Sequence, residues 1–285
     1  VPPELIIGRT GEIQDLERRV GEGISTMLVG PRRIGKTTVC AAVCEKLRAE
    51  GALVVKIDVP ERSDSGDLLQ LVIDVCSRIS IADHARKALR FMRPLIEKIL
   101  AEEGVPLDLS TLAGGAVLPS RAVLRLPVEL ARREDRRALV FLDELQRVVT
   151  YEDAEQTLGD LIDIYGGSAE AVVLVDGSAE RALDGMFGEP VHFGKLVDRL
   201  ELALSIPAAS WRGPLAERFD RAGLAISPEI LERLLQWSEC RPYATMAAAR
   251  YTALNARKTG SVDIDDFDLQ MGIDEARRHL EDDGA

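Results

Sequence analysis

The chain is predicted to be an α/β protein, a parallel-sheet core followed by an all-helical C-terminal domain, and three observations predict it. Residues 24–59 read as strand, Gly-rich loop, helix, strand, which is the order of a parallel βαβ unit. Two further apolar runs, ALVFLDEL at 138–145 and AVVLVDGS at 171–178, have the length and continuity of buried strands. From Pro207 onward strand alternation ceases and only helical periods remain.

Each element has its own justification. ISTMLVG (24–30) is a short apolar run ending at a Gly, as a buried strand does before a turn. Residues 37–50 follow a helical period with Val39, Val43 and Leu47 on one face, Gly51 closes the helix, and ALVVKIDV (52–59) is the second strand. Leu68, Leu69, Val72 and Val75 mark a helix over 66–81, and a longer one from about 81 to 103 is expected to be interrupted by Pro94. The segment at 104–120 is uncharged apart from Asp108, contains Gly and lacks helical period, so it is expected to be a loop or β-hairpin insertion. A helix over 127–134 leads into the third strand at 138–145. An amphipathic helix at 154–165 precedes the fourth strand at 171–178, and LELALSI (200–206) is a candidate fifth. Helices follow at 208–222, 228–238, 242–258 and 265–281, with Ser227 as a cap and Pro228 at the first helical position of the second. The expected division is a core at 1–205 and a helical lid at 206–285.

Bulk composition narrows the classes. With 46% hydrophobic residues in 285, the chain can bury a substantial core without disulfide or metal staples, and at 4% aromatics that core is mainly aliphatic. Its apolar runs fall well short of the roughly 18 residues a spanning helix needs. The opening Val1-Pro2-Pro3-Glu4 has neither the basic flank nor the apolar run of a secretory leader, and a start at Val is compatible with residues missing before it. Cys40 and Cys44 sit at i, i+4 on a helix, but no second pair or suitably spaced His follows. With Cys76 and Cys240 they read as ordinary thiols in a reducing, cytoplasmic setting. The net charge of −12 argues against coating nucleic acid by charge alone. Arg132, Arg133, Arg136 and Arg137 form the densest basic cluster, read as a solvated helix end.

Two motifs carry chemistry. Gly30-Pro31-Arg32-Arg33-Ile34-Gly35-Lys36-Thr37, followed by Thr38, fits G-x-x-x-x-G-K-[ST] in full and lies between a strand and a helix, the context the pattern requires. Small residues let backbone N–H groups curl around phosphate oxygens, and the helix beginning near Lys36 points its positive end at them. Lys36 would neutralise the β- and γ-phosphates, and the Thr37 hydroxyl would ligate Mg2+. Arg32 and Arg33 are solvent-exposed by default, or reach the γ-phosphate or a partner. The second motif is Leu139-Val140-Phe141-Leu142-Asp143-Glu144, a strand exposing carboxylates at its C-terminal end, where open α/β sheets bind ligands. Asp143 would hold Mg2+ through water, and Glu144 would polarise the attacking water.

Gly8-Arg9 with Glu12 and Leu16, ahead of GPRRIGKTT and LVFLDELQ, resembles the opening of AAA+ and STAND-type ATPases. The chain from Ile6 to about Tyr251 is similar to the archaeal-type ATPase family of that superfamily, which also occurs in bacteria. The resemblance implies an ASCE-type core with a helical lid, and ATP with Mg2+ as ligands. It places Ile7, Gly8 and Arg9 near the adenine, and Ser178, after the fourth strand, where a polar residue senses the γ-phosphate; an ordinary turn residue after Gly177 is the alternative. Arg199 matches the position before the fifth strand where such proteins keep a trans-acting arginine, although Phe193-Gly194-Lys195 departs from the pattern nearby. Arg241-Pro242-Tyr243 resembles a turn opening a lid helix, where Arg241 would contact phosphate and Cys240 replaces a small residue. Trp211 and Trp237 read as packing for the lid.

The implied activity is ATP binding with slow Mg2+-dependent hydrolysis, and three roles compete. The first is a switch or motor acting through a homo-oligomer and a protein partner. The second is a DNA-associated ATPase that touches DNA near Arg133, and the third a nucleotide-binding scaffold with little hydrolysis, against which Glu144 argues. No acceptor site for a metabolic kinase is legible.

Overall fold

A computed structural model describes residues 6–61, 65–79, 88–102, 104, 120–177 and 193–282. Their contacts define two compact units, one of Gln14–Val29 and Cys40–Glu201, the other of Val1–Ile13, Gly30–Val39 and Leu202–Ala285.

The first unit holds a five-stranded sheet in the order β2-β3-β4-β1-β5, with every pair parallel. The strands are β1 (Thr26–Val29), β2 (Leu53–Asp58), β3 (Ala138–Asp143), β4 (Ala171–Asp176) and β5 (Asp198–Glu201). All residues of β1, β3 and β4 are buried, which is why these runs are continuously apolar rather than alternating. In chain order the helices up to β5 include α1 (Thr10–Gly21), α2 (Lys36–Ala49), α3 (Ser65–Ile79), α4 (Ala88–Glu102), α5 (Ser120–Leu124), α6 (Leu126–Glu134) and α7 (Ala154–Tyr165). The core joins the strands to Leu68 and Val72 of α3, Ile99 of α4, Leu130 of α6 and Leu161 of α7. Each such side chain contributes roughly 1.5–3 kcal/mol when fully buried.

Charged groups are tied into the same unit. Glu129 is buried and accepts from Lys98 at 2.7 Å, Arg132 at 2.7 Å and Arg125 at 3.2 Å. Burial pushes its carboxyl up, but Lys98, Arg132 and Arg125 together outweigh that and hold it below the usual range. The basic cluster is occupied similarly. Arg136 donates to Gly51 O at 2.7 Å and Arg137 to Gly21 O at 2.8 Å, so both satisfy carbonyls at or just beyond the C-terminal ends of helices. Arg132 also pairs with Glu170 at 2.8 Å.

Two expectations change. The fifth strand is Asp198–Glu201, not 200–206, because backbone pairing from Thr26↔Asp198 to Val29↔Glu201 sets its register. The alternation of Leu200, Leu202, Leu204 and Ile206 was misleading: Ile206 joins the other hydrophobic cluster and Leu204 is exposed. Helix α4 runs through Pro94 instead of breaking there. Burial of Leu95, Ile96, Ile99 and Leu100 on the following turns outweighs a local cost of about 3 kcal/mol. Helices α1 and α5 and a 3-10 turn at Leu145–Thr150 are not among the expected elements, although Ile13, Leu16 and Val20 recur at helical spacing along α1. The insertion expected at 104–120 lies almost wholly outside the described residues.

The second unit contains α8 (Ala208–Arg221), α9 (Pro228–Trp237), α10 (Pro242–Thr259) and α11 (Asp266–Asp282), close to the expected bounds. Its core gathers Ile7, Ile206, Trp211, Leu215, Leu234 and Ile273. Ser227 caps α9 by accepting from Ile230 N, with Pro228 in the first turn, as its sequence implies. Gly272 allows α11 to approach α10 closely, since a Cβ there would lie 2.3 Å from Thr252 Oγ1. Among the described residues, no helix is long and apolar enough to cross a membrane.

Candidate functional site

In the second unit, Gly30–Gly35 forms a curled loop that runs into the start of α2 at Lys36. Gly30 has φ 144 and Gly35 φ 97, and Arg33 joins them in the left-handed region at φ 67. Glycine is needed at position 30 for space as well, because a Cβ would lie 2.5 Å from Ile34 Cδ1. Lys36 is buried, and its Nζ donates to Gly30 O at 3.0 Å and Pro31 O at 2.8 Å. The ammonium is thereby held across the mouth of the loop. Lys36 opens α2, Thr37 beside it is exposed, and the first-turn N–H groups have no earlier helical carbonyl to bond. Partial positive charge, a lysine and a hydroxyl thus converge on one short segment, which suits a polyanion.

Gly8 and Arg9 support this loop. A Cβ at Gly8, where φ is 63, would lie 2.2 Å from Ile206 Cγ2. Arg9 is only 3% exposed and donates to Ile34 O at 3.2 Å, Ala203 O at 2.7 Å and Glu12 Oε1 at 2.8 Å. A cavity of about 240 Å³ is lined by Ile7, Arg9, Ile34, Thr38, Trp211 and Met246, among others. Its apolar walls suit a flat base. Ile7 and Arg9 reach it, while Gly8 is not among its lining residues. Trp211 is buried as expected of packing, yet it also forms a wall.

A second cavity, about 380 Å³, brings together Arg32, Arg33 and Arg241 with Pro31, Tyr243 and Leu280. The Arg33 guanidinium lies over the Tyr243 ring, and Tyr243 Oη is 3.0 Å from His279 Nε2. Arg241 precedes α10 and pairs with Glu239 at 2.5 Å. Glu239 and Cys240 are both left-handed, at φ 50 and 55, which explains why a small residue suits position 240.

In the sheet unit, β2, β3 and β4 each end on an aspartate: Asp58, Asp143 and Asp176. Asp58 is level with Asp143. Asp143 is nearly buried, with Lys56 Nζ 3.8 Å from Oδ2. Glu144 leaves the strand in a left-handed conformation, φ 57 and ψ 39, and begins the 3-10 turn. Such backbone costs about 1–3 kcal/mol and clusters at functional sites. Gln146 Nε2 donates to Glu144 Oε2. Asp176, buried at the end of β4, escaped the sequence reading although AVVLVD ends as ALVFLD does. Arg199 lies within β5, level with Met27, not ahead of the strand, and its side chain is exposed. Ser178 lies outside the described residues.

Among the described residues, no group of three or more His, Cys, Asp or Glu side chains could hold a metal by itself. The carboxylate of Asp143 at the end of β3 is the kind of hard oxygen donor that Mg2+ takes, its shell then completed by water and ligand phosphates.

Known proteins place these features in context. A family model described as an AAA domain matches residues 20–180. The chain is similar to the Walker-type ATPase PABY2304 of Pyrococcus abyssi at 16% identity and a TM-score of 0.67, covering 97% of this chain and 73% of that one. It is similar to the ORC2 protein of Aeropyrum pernix, in ADPNP and ADP complexes, at 20% identity and a TM-score of 0.64, over 94% and 67%. The RuvB Holliday junction branch migration motor of Thermotoga maritima follows at 15% identity and a TM-score of 0.52, over 94% and 69%. At these identities the likenesses show the fold. No match was found among curated proteins.

Proposed function

Because the chain belongs to the AAA domain family and has a P-loop ATPase fold, we propose that it binds ATP and hydrolyses it slowly with Mg2+, its nucleotide state controlling assembly with further copies of itself. The observation that carries this reading is the Gly30–Thr38 loop, with Lys36 drawn onto its carbonyls at the head of α2. Backbone N–H groups of the loop bind the phosphates, Lys36 neutralises the terminal ones, and the cavity beside Ile7 and Trp211 takes the base. Thr37 and Asp143 are the protein ligands proposed for Mg2+, which when bound neutralises charge on the β- and γ-phosphates. Glu144 orients and deprotonates the attacking water. Arg241 is proposed to contact phosphate, Ser178 to sense the γ-phosphate, and exposed Arg199 to act on a neighbouring copy. The functional division into a core at 1–205 and a lid at 206–285 belongs to the same proposal.

A role on DNA is not favoured by the charge distribution, since the net charge is −12 and Arg132, Arg136 and Arg137 are engaged by carboxylates and carbonyls. The test is light scattering of the Glu144→Gln protein with ATP and Mg2+, with and without duplex DNA. Assembly driven by ATP alone supports the switch; a monomer that assembles only on DNA overturns it. Lys36→Ala should abolish ATP binding, and retained binding would refute the loop assignment.

A further inference from the structure

Glu144 does not stand alone at the end of β3. Gln146, two residues on, donates from Nε2 to Glu144 Oε2. The backbone makes this contact local: Glu144 is left-handed, and Arg147 N closes back onto Glu144 O at 3.0 Å. The Arg147 side chain then fastens the turn to the end of β2, its Nη1 donating to Val59 O at 2.6 Å and Asp58 Oδ1 at 2.9 Å. Gln146 is 9% exposed, and its Oε1 has no hydrogen-bond partner among the described residues. A buried amide kept for structure alone normally satisfies both of its ends. This one instead directs its donor at a single carboxylate oxygen.

We propose that Gln146 is a positioning residue for hydrolysis, its amide donating to the Glu144 carboxylate and fixing the orientation in which that carboxylate meets the attacking water. The inference rests on the reading of Glu144 as the residue that polarises that water. In the step served, the water oxygen bonds to the γ-phosphorus as the bond to the β–γ bridging oxygen breaks. The water proton passes to the Glu144 carboxylate and then to the released phosphate, while Gln146 exchanges no proton. Its contribution is orientation fixed before the reaction, so that the carboxylate need not be ordered during it. Nucleotide binding does not depend on it.

A double-mutant cycle tests this. Gln146→Met keeps the length without the donor, and Gln146→Asn keeps the amide one methylene short. Each is made in the native and Glu144→Gln backgrounds, and ATP affinity and single-turnover hydrolysis with Mg2+ are measured. The expected result is a fall in rate of roughly 10-fold or more with either variant, an affinity within about twofold of native, and no further fall in the Glu144→Gln background. A native rate in both variants, or an equal penalty in both backgrounds, overturns the proposal. If Glu144→Gln itself hydrolyses ATP at the native rate, the reading of Glu144 fails instead, so the two failures are distinguishable.

Discussion

The guanidinium of Arg33 lies 4.7 Å from the centroid of the Tyr243 ring, joining the phosphate loop to the first turn of α10. Arg33 is held in left-handed backbone, φ 67, a conformation a bulky residue adopts only when its surroundings favour it. Removing the ring should loosen the loop. Tyr243→Leu is expected to weaken ATP binding about two- to fivefold, in keeping with a cation–π contact of about 0.5–1 kcal/mol. Tyr243→Phe should retain most of the affinity, because the ring remains. Equal affinities for native and Leu proteins by calorimetry would remove Tyr243 from loop support.

Arg9 bonds two carbonyls and a carboxylate while almost fully buried. Arg9→Met leaves these acceptors without their donor and should cost about 2–3 kcal/mol, read as a lowered urea midpoint. Arg9→Lys keeps the charge but loses the planar fork, so it should recover less than half of the loss. Complete recovery by Lys would show that charge alone matters there.

Burial pushes the Cys44 and Cys76 thiols up to about 12 from an ordinary 9.0. Both fold as neutral groups, so stability is unaffected below pH 9. Above it the unfolded chain releases protons that the folded chain retains, and stability falls as pH rises from about 9 towards 12. Unfolding midpoints should drop across that window, and less steeply in Cys44→Ala and Cys76→Ala. In the native protein at pH 8, a thiol reagent should reach half-buried Cys240 before either of them.

Gly272 faces Thr252 where α10 and α11 meet, and a Cβ would lie 2.3 Å from Oγ1 and 2.5 Å from the backbone N. Because backbone cannot move aside cheaply, Gly272→Ala should destabilise the protein by about 2 kcal/mol. Gly159 sits in α7 with no atom near an added Cβ, so Gly159→Ala is the control and should be neutral or stabilising by up to about 1 kcal/mol. Similar melting temperatures for the two variants would contradict the close approach.

Much of the fold was legible because its signals are local. Apolar runs marked β1 to β4, and the Ser227-Pro228 pair marked the start of α9, since each depends on neighbouring residues only. Strand β5 was misplaced because Leu200, Leu202, Leu204 and Ile206 alternate as a strand would, while pairing with β1 selected Asp198–Glu201. Pro94 looked like a break because its cost is local, whereas the burial that outweighs it comes from residues packed around α4.

The same division runs through the candidate site. By itself the sequence marked the Gly-rich loop at Gly30–Thr38 and the acidic pair Asp143-Glu144, because strand–loop–helix spacing and a run of apolar residues before two acids are properties of contiguous chain. Only the tertiary structure decided that Arg9 holds Ile34 and Ala203, that Arg33 lies on Tyr243, that Gly8 must admit Ile206, and that Arg199 is part of a strand. Those relationships join residues up to 210 positions apart, as Arg33 and Tyr243 show. They are set by close packing and by the need to satisfy buried polar groups, neither of which has a period or spacing that can be read along the chain.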